Sequence, residues 1–198
     1  MKTRKLILVL FSLCFIAFTA LSQEKYVIVQ DAGYLVLSGT SNTSEWKLKS
    51  AKLEGDAQLL VKSDELTNIS RVIINIDATT ISNENNKRMS KKAQRVLMAR
   101  EHPQVTFFAY GFSQIGDGPR KIRGNISLAG KNADILFDFT SRVEDGVVWI
   151  VAESEDAKFS DFGLEPPQDF GGAIQCHDEM KIQVQLPFTL SDLAGSMN

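Results

Sequence analysis

The chain has 198 residues, of which 43% are hydrophobic and 23% are charged, and its formal net charge is −2. This composition is typical of a globular protein and excludes a disordered or low-complexity chain. The near balance of charge disfavours a nucleic-acid partner, and two Cys with two His exclude a disulfide scaffold and most zinc sites with several such ligands.

The first 22 residues have the pattern of a signal peptide. A positively charged start precedes an apolar run from Leu6 to Phe18, and Ala20-Leu21-Ser22 has the small-x-small pattern of a cleavage site. The apolar run is shorter than the roughly 20 residues that a membrane-spanning helix needs. We therefore expect residues 1–22 to be removed and residues 23–198 to form one domain, periplasmic or secreted.

The remaining chain is dominated by alternating apolar and polar residues. A period of two places the apolar side chains on one face of a β-strand, as in antiparallel sheets. In chain order, strands are predicted at Tyr34–Leu37, Trp46–Lys52, Ala57–Lys62, Val72–Ile76, Gln104–Phe112, Ile122–Leu128, Ile135–Phe139, Val147–Val151 and Met180–Phe188. Asp145-Gly146 lies between two of them and predicts a tight hairpin.

One segment, from Asn86 to Glu101, has helical periodicity instead. Its apolar residues, from Met89 to Leu97, recur on one stripe, and Lys and Arg cover much of the remaining surface. Pro103 disfavours helix in the residue before it. We therefore predict a short amphipathic helix between two strands.

The strand predicted after this helix has large apolar residues on both faces. Val105 and Phe107 point one way, whereas Phe108, Tyr110 and Phe112 point the other. Something is therefore expected to cover this second face, and the preceding helix is a candidate.

Eight or nine antiparallel strands can bury their apolar faces in two ways. Two sheets can pack together as a sandwich, or one sheet can close into a barrel that is filled by side chains or holds one small ligand. Periodicity alone does not decide between these architectures.

Several segments, taken in order, carry a family resemblance. They are Ser38-Gly39-Thr40-Ser41-Asn42 with Trp46, Val72 to Asp77, Asn86 to Leu97 with His102-Pro103, Ile126 to Gly130, and Asp161 to Pro167. Together they resemble the YceI-like, lipocalin-like family of exported bacterial proteins. The resemblance implies an all-β fold, an antiparallel β-barrel of about eight strands with one short amphipathic helix, whose apolar cavity binds a polyisoprenoid or another amphiphilic lipid.

Strand periodicity alone favours a core filled by side chains, because apolar strand faces are usually core. The family resemblance reverses this preference and favours an open lumen. A lipid-binding lumen has mainly apolar and aromatic walls. The residues predicted to line it are Phe107, Ile126, Leu128, Phe137, Phe139, Trp149, Met180, Ile182 and Val184.

The cations of the predicted helix suggest a place for a lipid headgroup. Lys91, Lys92 and Arg95 are the candidates, and the same face can make transient contact with an anionic membrane surface. The alternative is an ordinary solvated helix face. No cofactor or metal is expected.

Two other functions are compatible with the same fold. An enzyme acting on an amphiphile would need reactive groups facing the lumen, and Cys176, His177 and Asp161 are the candidates. Adjacent strand residues point to opposite faces, so Cys176 and His177 cannot bind one metal ion from a regular strand. A stress-response or interaction module would use the basic helix as its contact surface. We expect a binding protein rather than an enzyme.

Overall fold

The computed structural model describes residues 24–112 and 120–194. The predicted signal peptide, residues 1–22, lies outside the described residues. Within the described ranges the strands are β1 (Glu24–Ile28), β2 (Tyr34–Ser41), β3 (Glu45–Ser50), β4 (Leu53–Lys62), β5 (Glu65–Asp77), β6 (Gln104–Ala109), β7 (Arg120–Leu128), β8 (Lys131–Glu144), β9 (Val147–Lys158), β10 (Gln168–Asp169) and β11 (Ile174–Leu190). The α-helices are α1 (Lys87–Val96) and α2 (Ser191–Ala194).

The strands form a closed ring. The pairing order runs β1-β4-β5-β6-β7-β8-β9-β11, and β11 also pairs with β1, so that eight antiparallel strands enclose one interior. A sandwich of two separate sheets is excluded by this closure. The ring confirms the predicted all-β, lipocalin-like architecture. Every predicted strand has a counterpart, whereas β1 and the two-residue β10 were not predicted.

The ring is extended on one side by β2 and β3. β2 pairs with residues 176–185 of the long strand β11, and β1 pairs with residues 188–190 of the same strand. β3 pairs with β2 as β4 pairs with β1. These four strands therefore act as two long, interrupted strands, which lengthen the barrel toward α1.

Helix α1 lies at one end of the ring, which we call the helix end. Asn86 caps it, because its side chain accepts a 2.9 Å hydrogen bond from the N–H of Met89. The helix is shorter than the predicted 86–101, since Met98 adopts a left-handed φ of 50°. Leu97 and Ala99 are buried and anchor this turn in the barrel.

The helix that was a candidate cover for the outer face of β6 does not cover it. Phe108 is 38% exposed and Tyr110 is 72% exposed, because α1 packs at the helix end instead. β6 ends at Ala109, and Gly111 has φ 64°. Beyond this turn Phe112 packs edge-on against Phe139, with ring centroids 5.3 Å apart.

Tight hairpins set the register of the meander. Asp145 and Gly146 have φ values of 51° and 76°, as both central residues of a type I′ turn require. The predicted hairpin between β8 and β9 is therefore present, and it aligns Val143 with Val148.

Candidate functional site

The interior of the ring contains a cavity of about 80 Å³, which we call the lumen. Its walls consist only of apolar side chains, so it has no polar group that would favour water over hydrocarbon. The lining residues are Leu35, Leu37, Ile69, Val72, Ile74, Ile76, Ile81, Val105, Phe107, Ile122, Ile126, Leu128, Phe137, Phe139, Ile150, Ala152, Phe162, Met180, Ile182, Val184 and Leu186.

Eight of the nine side chains predicted to line a lumen lie in this wall. Each belongs to the inward face of its strand, as the period of two requires. They are Phe107, Ile126, Leu128, Phe137, Phe139, Met180, Ile182 and Val184.

The prediction that Trp149 lines the lumen is wrong. Val148 and Ile150 are buried on the inward face of β9, so the residue between them points outward. The guanidinium of Arg142 lies over the Trp149 ring, 5.1 Å from its centroid. We therefore remove Trp149 from the candidate lining.

The prediction also omitted all of the lining that comes from β5 and β2. Val72, Ile74 and Ile76 alternate in the sequence and line the lumen together. Their pattern is as clear as that of the chosen strands. Sequence periodicity was therefore sufficient to find them.

The position of the Phe107 ring depends on a glycine in the neighbouring strand. It lies directly over Gly124 of the neighbouring strand β7, where any Cβ would overlap the ring. The same ring meets Phe137 edge-on, with centroids 5.5 Å apart. Because Gly124 has no side chain, the Phe107 ring can lie against the backbone of β7 at the lumen wall.

A second cavity of about 170 Å³ lies beneath α1, and we call it the helix-end cavity. Its floor is mainly apolar and its rim is polar. Trp46 lies in the wall, folded across Gly39 and 5.9 Å from the ring centroid of Phe159. The lining residues are Leu37, Ser41, Ser44, Trp46, Leu48, Asn86, Arg88, Met89, Lys92, Ala93, Val96, Leu97, Phe159, Pro167, Gln168, Asp169, Ile174, Cys176 and Met180.

The lumen and the helix-end cavity share two wall residues, Leu37 and Met180. The two spaces therefore adjoin across these two side chains, with the apolar interior on one side and the cavity with the polar rim on the other. Each is smaller than the roughly 300–1,000 Å³ of a typical ligand pocket. A long guest therefore requires side chains to move, and the flexible thioether of Met180 is well suited to do so.

The rim of the helix-end cavity is held by ion pairs. Asp169 Oδ1 lies 2.7 Å from Lys92 Nζ and 3.2 Å from the guanidinium of Arg88. Lys92 also donates to the carbonyl of Gln168, and Arg88 lies over the Phe170 ring at 5.1 Å. The hydrogen bond from Lys92 lowers the pKa of the Asp169 carboxyl, with the charge of Arg88 adding to the effect.

The predicted headgroup residues separate into two groups. Lys92 lines the helix-end cavity, whereas Lys91 and Arg95 do not and are exposed on the helix surface. Arg88, one turn before Lys92, and Asp169, from the short strand β10, belong to the rim but were not predicted. Arg88 could have been predicted, because residues four apart in a helix lie on one face and Lys92 was already a candidate. No sequence pattern pointed to Asp169.

The opposite end of the ring, which we call the Arg120 end, has a different construction. Arg120 donates to the Leu66 carbonyl at 2.9 Å and to Ser141 Oγ at 2.6 Å. Its guanidinium also lies over the rings of Phe112 and Phe139, at 5.6 Å and 5.0 Å from their centroids. Several contacts therefore fix this cation within the barrel end.

The candidate reactive residues do not converge. Cys176 lines the helix-end cavity, and burial raises the pKa of its thiol. His177 points to the other side of β11, where Nδ1 lies 2.9 Å from Thr40 Oγ1. The Asp161 carboxylate accepts a 2.9 Å hydrogen bond from the N–H of Lys158. Residues 24–112 and 120–194 contain no group of three or more His, Cys, Asp or Glu placed to hold a metal ion.

Comparison with solved structures finds the same fold in distant relatives. Burkholderia cenocepacia BcnA is similar with a TM-score of 0.65 at 13% identity, covering 81% of this chain and 98% of that chain. A polyisoprenoid-binding domain from Saccharophagus degradans, implicated in plant cell wall breakdown, has a TM-score of 0.60 at 11% identity, covering 83% and 98%. A Campylobacter jejuni YCEI protein has a TM-score of 0.53 at 17% identity, covering 69% and 80%.

The comparison of sequences is more specific. No curated protein matches the chain. Among the described residues, none of the helices has both the length and the apolar character needed to cross a membrane. The profile of the YceI-like domain matches residues 26–188, which include nearly the whole ring and both cavities. The chain therefore belongs to the YceI-like domain family.

Proposed function

We propose that this protein is an exported binding protein that holds one amphiphilic lipid, such as a polyisoprenoid, for transport, storage or sequestration. The apolar tail occupies the lumen, and the polar end lies in the helix-end cavity. One observation carries the proposal: a lumen with only apolar walls adjoins a cavity with a charged rim. The polyisoprenoid-binding domain with the same fold supports the choice of ligand class.

The energetics favour an elongated, flexible hydrocarbon. Each buried methylene contributes about 0.8 kcal/mol, so eight methylenes supply roughly 6 kcal/mol before the cost of association. A charged anchor is not needed for the tail to bind. The polar rim instead determines the orientation of the guest.

Export is part of the proposal. The signal-peptide pattern of residues 1–22 supports cleavage and a periplasmic or secreted mature protein. The family match begins at Tyr26 and β1 begins at Glu24, both after the expected cleavage point. Fractionation of the native cells, with N-terminal sequencing of the protein recovered, tests this part: a cytoplasmic protein retaining residues 1–22 contradicts it.

We assign no catalytic step to the protein. Cys176, His177 and Asp161 are directed to different places, and the thiol pKa is raised rather than lowered. A nucleophilic cysteine requires the opposite shift. These observations support binding without chemistry.

A matched pair of variants tests lipid binding in the lumen. Val184→Phe places a larger side chain in the lumen wall. Val151→Phe makes the same change on the facing strand but outside the lumen, because Val151 lies between the inward residues Ile150 and Ala152. Native mass spectrometry of protein from its native source, followed by organic extraction, measures the retained guest.

We expect wild type and Val151→Phe to carry one lipid, and Val184→Phe to lose most of it. A thermal melt of each variant shows that the fold is retained. The proposal fails if the wild type neither carries nor takes up any lipid, or if all three proteins retain it equally.

A further inference from the structure

We infer that the helix-end cavity selects amphiphiles with a singly charged anionic headgroup, which Lys92 binds in place of, or together with, Asp169. The inference rests on the proposed function, because the headgroup is the polar end of the guest whose tail enters the lumen. It specifies the ligand class and the residue that recognises it.

The charge of the cavity is the first argument. The charged side chains that line it are Arg88, Lys92 and Asp169, two cations and one anion. In the described part of the chain, the cavity lining therefore carries a net charge of +1. One carboxylate or another monoanion neutralises it, whereas an alcohol leaves it unchanged and an amine adds to it.

The position of Lys92 is the second argument. Its side chain is only 26% exposed and its ammonium lies at the rim of the cavity. An ammonium has three N–H donors, and two of them meet Asp169 and the Gln168 carbonyl. The third donor can bind a headgroup without breaking either contact.

The direction of the cavity is the third argument. From the rim the floor leads to Leu37 and Met180, which also line the lumen. A headgroup bound at Lys92 therefore leaves its tail pointing inward. Lys91 is the adjacent cation on the helix, and it has no place in the cavity lining.

The charge of Asp169 weakens the site. The Asp169 carboxylate is paired with both Lys92 and Arg88, and its negative charge repels a second anion at the same rim. Removing its charge frees both cations for the headgroup. The variant Asp169→Asn should therefore bind an anionic amphiphile more tightly, and its preference for that amphiphile over a neutral one should increase.

The chain contains its own reporter for this test. It has two Trp residues, and Trp46 lines the helix-end cavity whereas Trp149 lies on the outer face of β9. In Trp149→Phe protein the emission of Trp46 alone follows occupancy. Dodecanoate, dodecanol and dodecylamine share one tail length and are titrated below their aggregation thresholds.

We expect dodecanoate to bind about tenfold more tightly than dodecanol, and dodecylamine to bind most weakly, because a hydrogen bond to a charged group typically contributes at least this much. Lys92→Met should abolish the preference for dodecanoate over dodecanol. Lys91→Met is the matched control and should retain the full preference. Asp169→Asn should strengthen dodecanoate binding several-fold.

Equal affinities for dodecanoate and dodecanol, or a preference that survives Lys92→Met, would overturn the inference while leaving lipid binding intact. Failure of all three probes to bind counts instead against the proposed function. The two failures are therefore distinguishable in one series of titrations.

Discussion

The two ends of the barrel use cations in opposite ways. At the Arg120 end, a guanidinium is fixed by the Leu66 carbonyl, Ser141 and two aromatic rings. At the helix end, Lys92 and Arg88 meet a single carboxylate on the rim of a cavity. The planar guanidinium suits several fixed contacts, whereas the ammonium of Lys92 can exchange one acceptor for another.

This difference teaches how one barrel can combine stability with access. At the Arg120 end, one side chain on β7 joins β5 and β8 through its contacts with Leu66 and Ser141. The helix end is covered by a short helix and surface ion pairs, which are weak and easily rearranged. We therefore expect substitutions at the Arg120 end to change folding stability, and polar substitutions at the helix end to change binding.

The largest expected effect is a loss of folding stability at the helix end, where an apolar side chain anchors α1 in the barrel. Leu97 is buried at 4% exposure just after α1. Leu97→Ala should lower the free energy of unfolding by about 3 kcal/mol, because it removes buried methyl groups and leaves a cavity. Lys91→Ala, on the exposed helix surface, serves as the control and should change it little. Chemical denaturation measures both, and equal effects would show that α1 is not anchored by packing.

The next largest effect is a loss of folding stability at the Arg120 end, without a change in headgroup preference. Arg120→Met should cost about 2 kcal/mol, since it removes two hydrogen bonds and the cation–π contacts. Arg120→Lys should recover only part of this loss, because an ammonium cannot reproduce the planar contacts. The preference for dodecanoate should be unchanged in both variants. A stable Arg120→Met protein with an altered headgroup preference would reverse the roles we assign to the two ends.

The smallest effect concerns the ion pairs of the rim. The pKa of Asp169 in the folded protein is lowered from its ordinary value of 3.8. A lowered carboxyl pKa stabilises the fold above pH 3.8, and this contribution is lost as the pH falls through the folded value. Asp169→Asn should therefore unfold slightly more easily than wild type at pH 7. The difference should shrink in high salt and vanish at low pH. Thermal melts at both pH values measure it, and a difference that persists in strong acid would contradict the assignment.

Strand periodicity predicted most of the barrel but not every face. Where apolar and polar residues alternate, as in Ile122 to Leu128, the inward side chains followed directly. Val147 to Val151 is apolar throughout, so periodicity could not assign Trp149 to a face. The structure settles it through the burial of Val148 and Ile150.

The helix-end cavity was only partly predictable for a different reason. Its wall combines α1 with residues 167–169 and β11, which are distant in the chain. Asp169 meets Lys92 through tertiary packing, and no local pattern encodes that contact. The end of α1 at Val96 was also not predictable from the sequence. Leu97 fits the apolar stripe of the helix, whereas Met98 ends the helical conformation with a left-handed φ of 50°.

Photo-crosslinking tests the central claim most directly, namely that one guest lies with its tail in the lumen and its headgroup at the helix end. The probe is dodecanoate with a diazirine at the far end of its chain, and mass spectrometry locates the crosslinked peptide. We predict crosslinks to lumen residues such as Ile122 and Phe137. Crosslinks confined to the exposed Phe108 and Tyr110 on the outside of β6 would contradict the account.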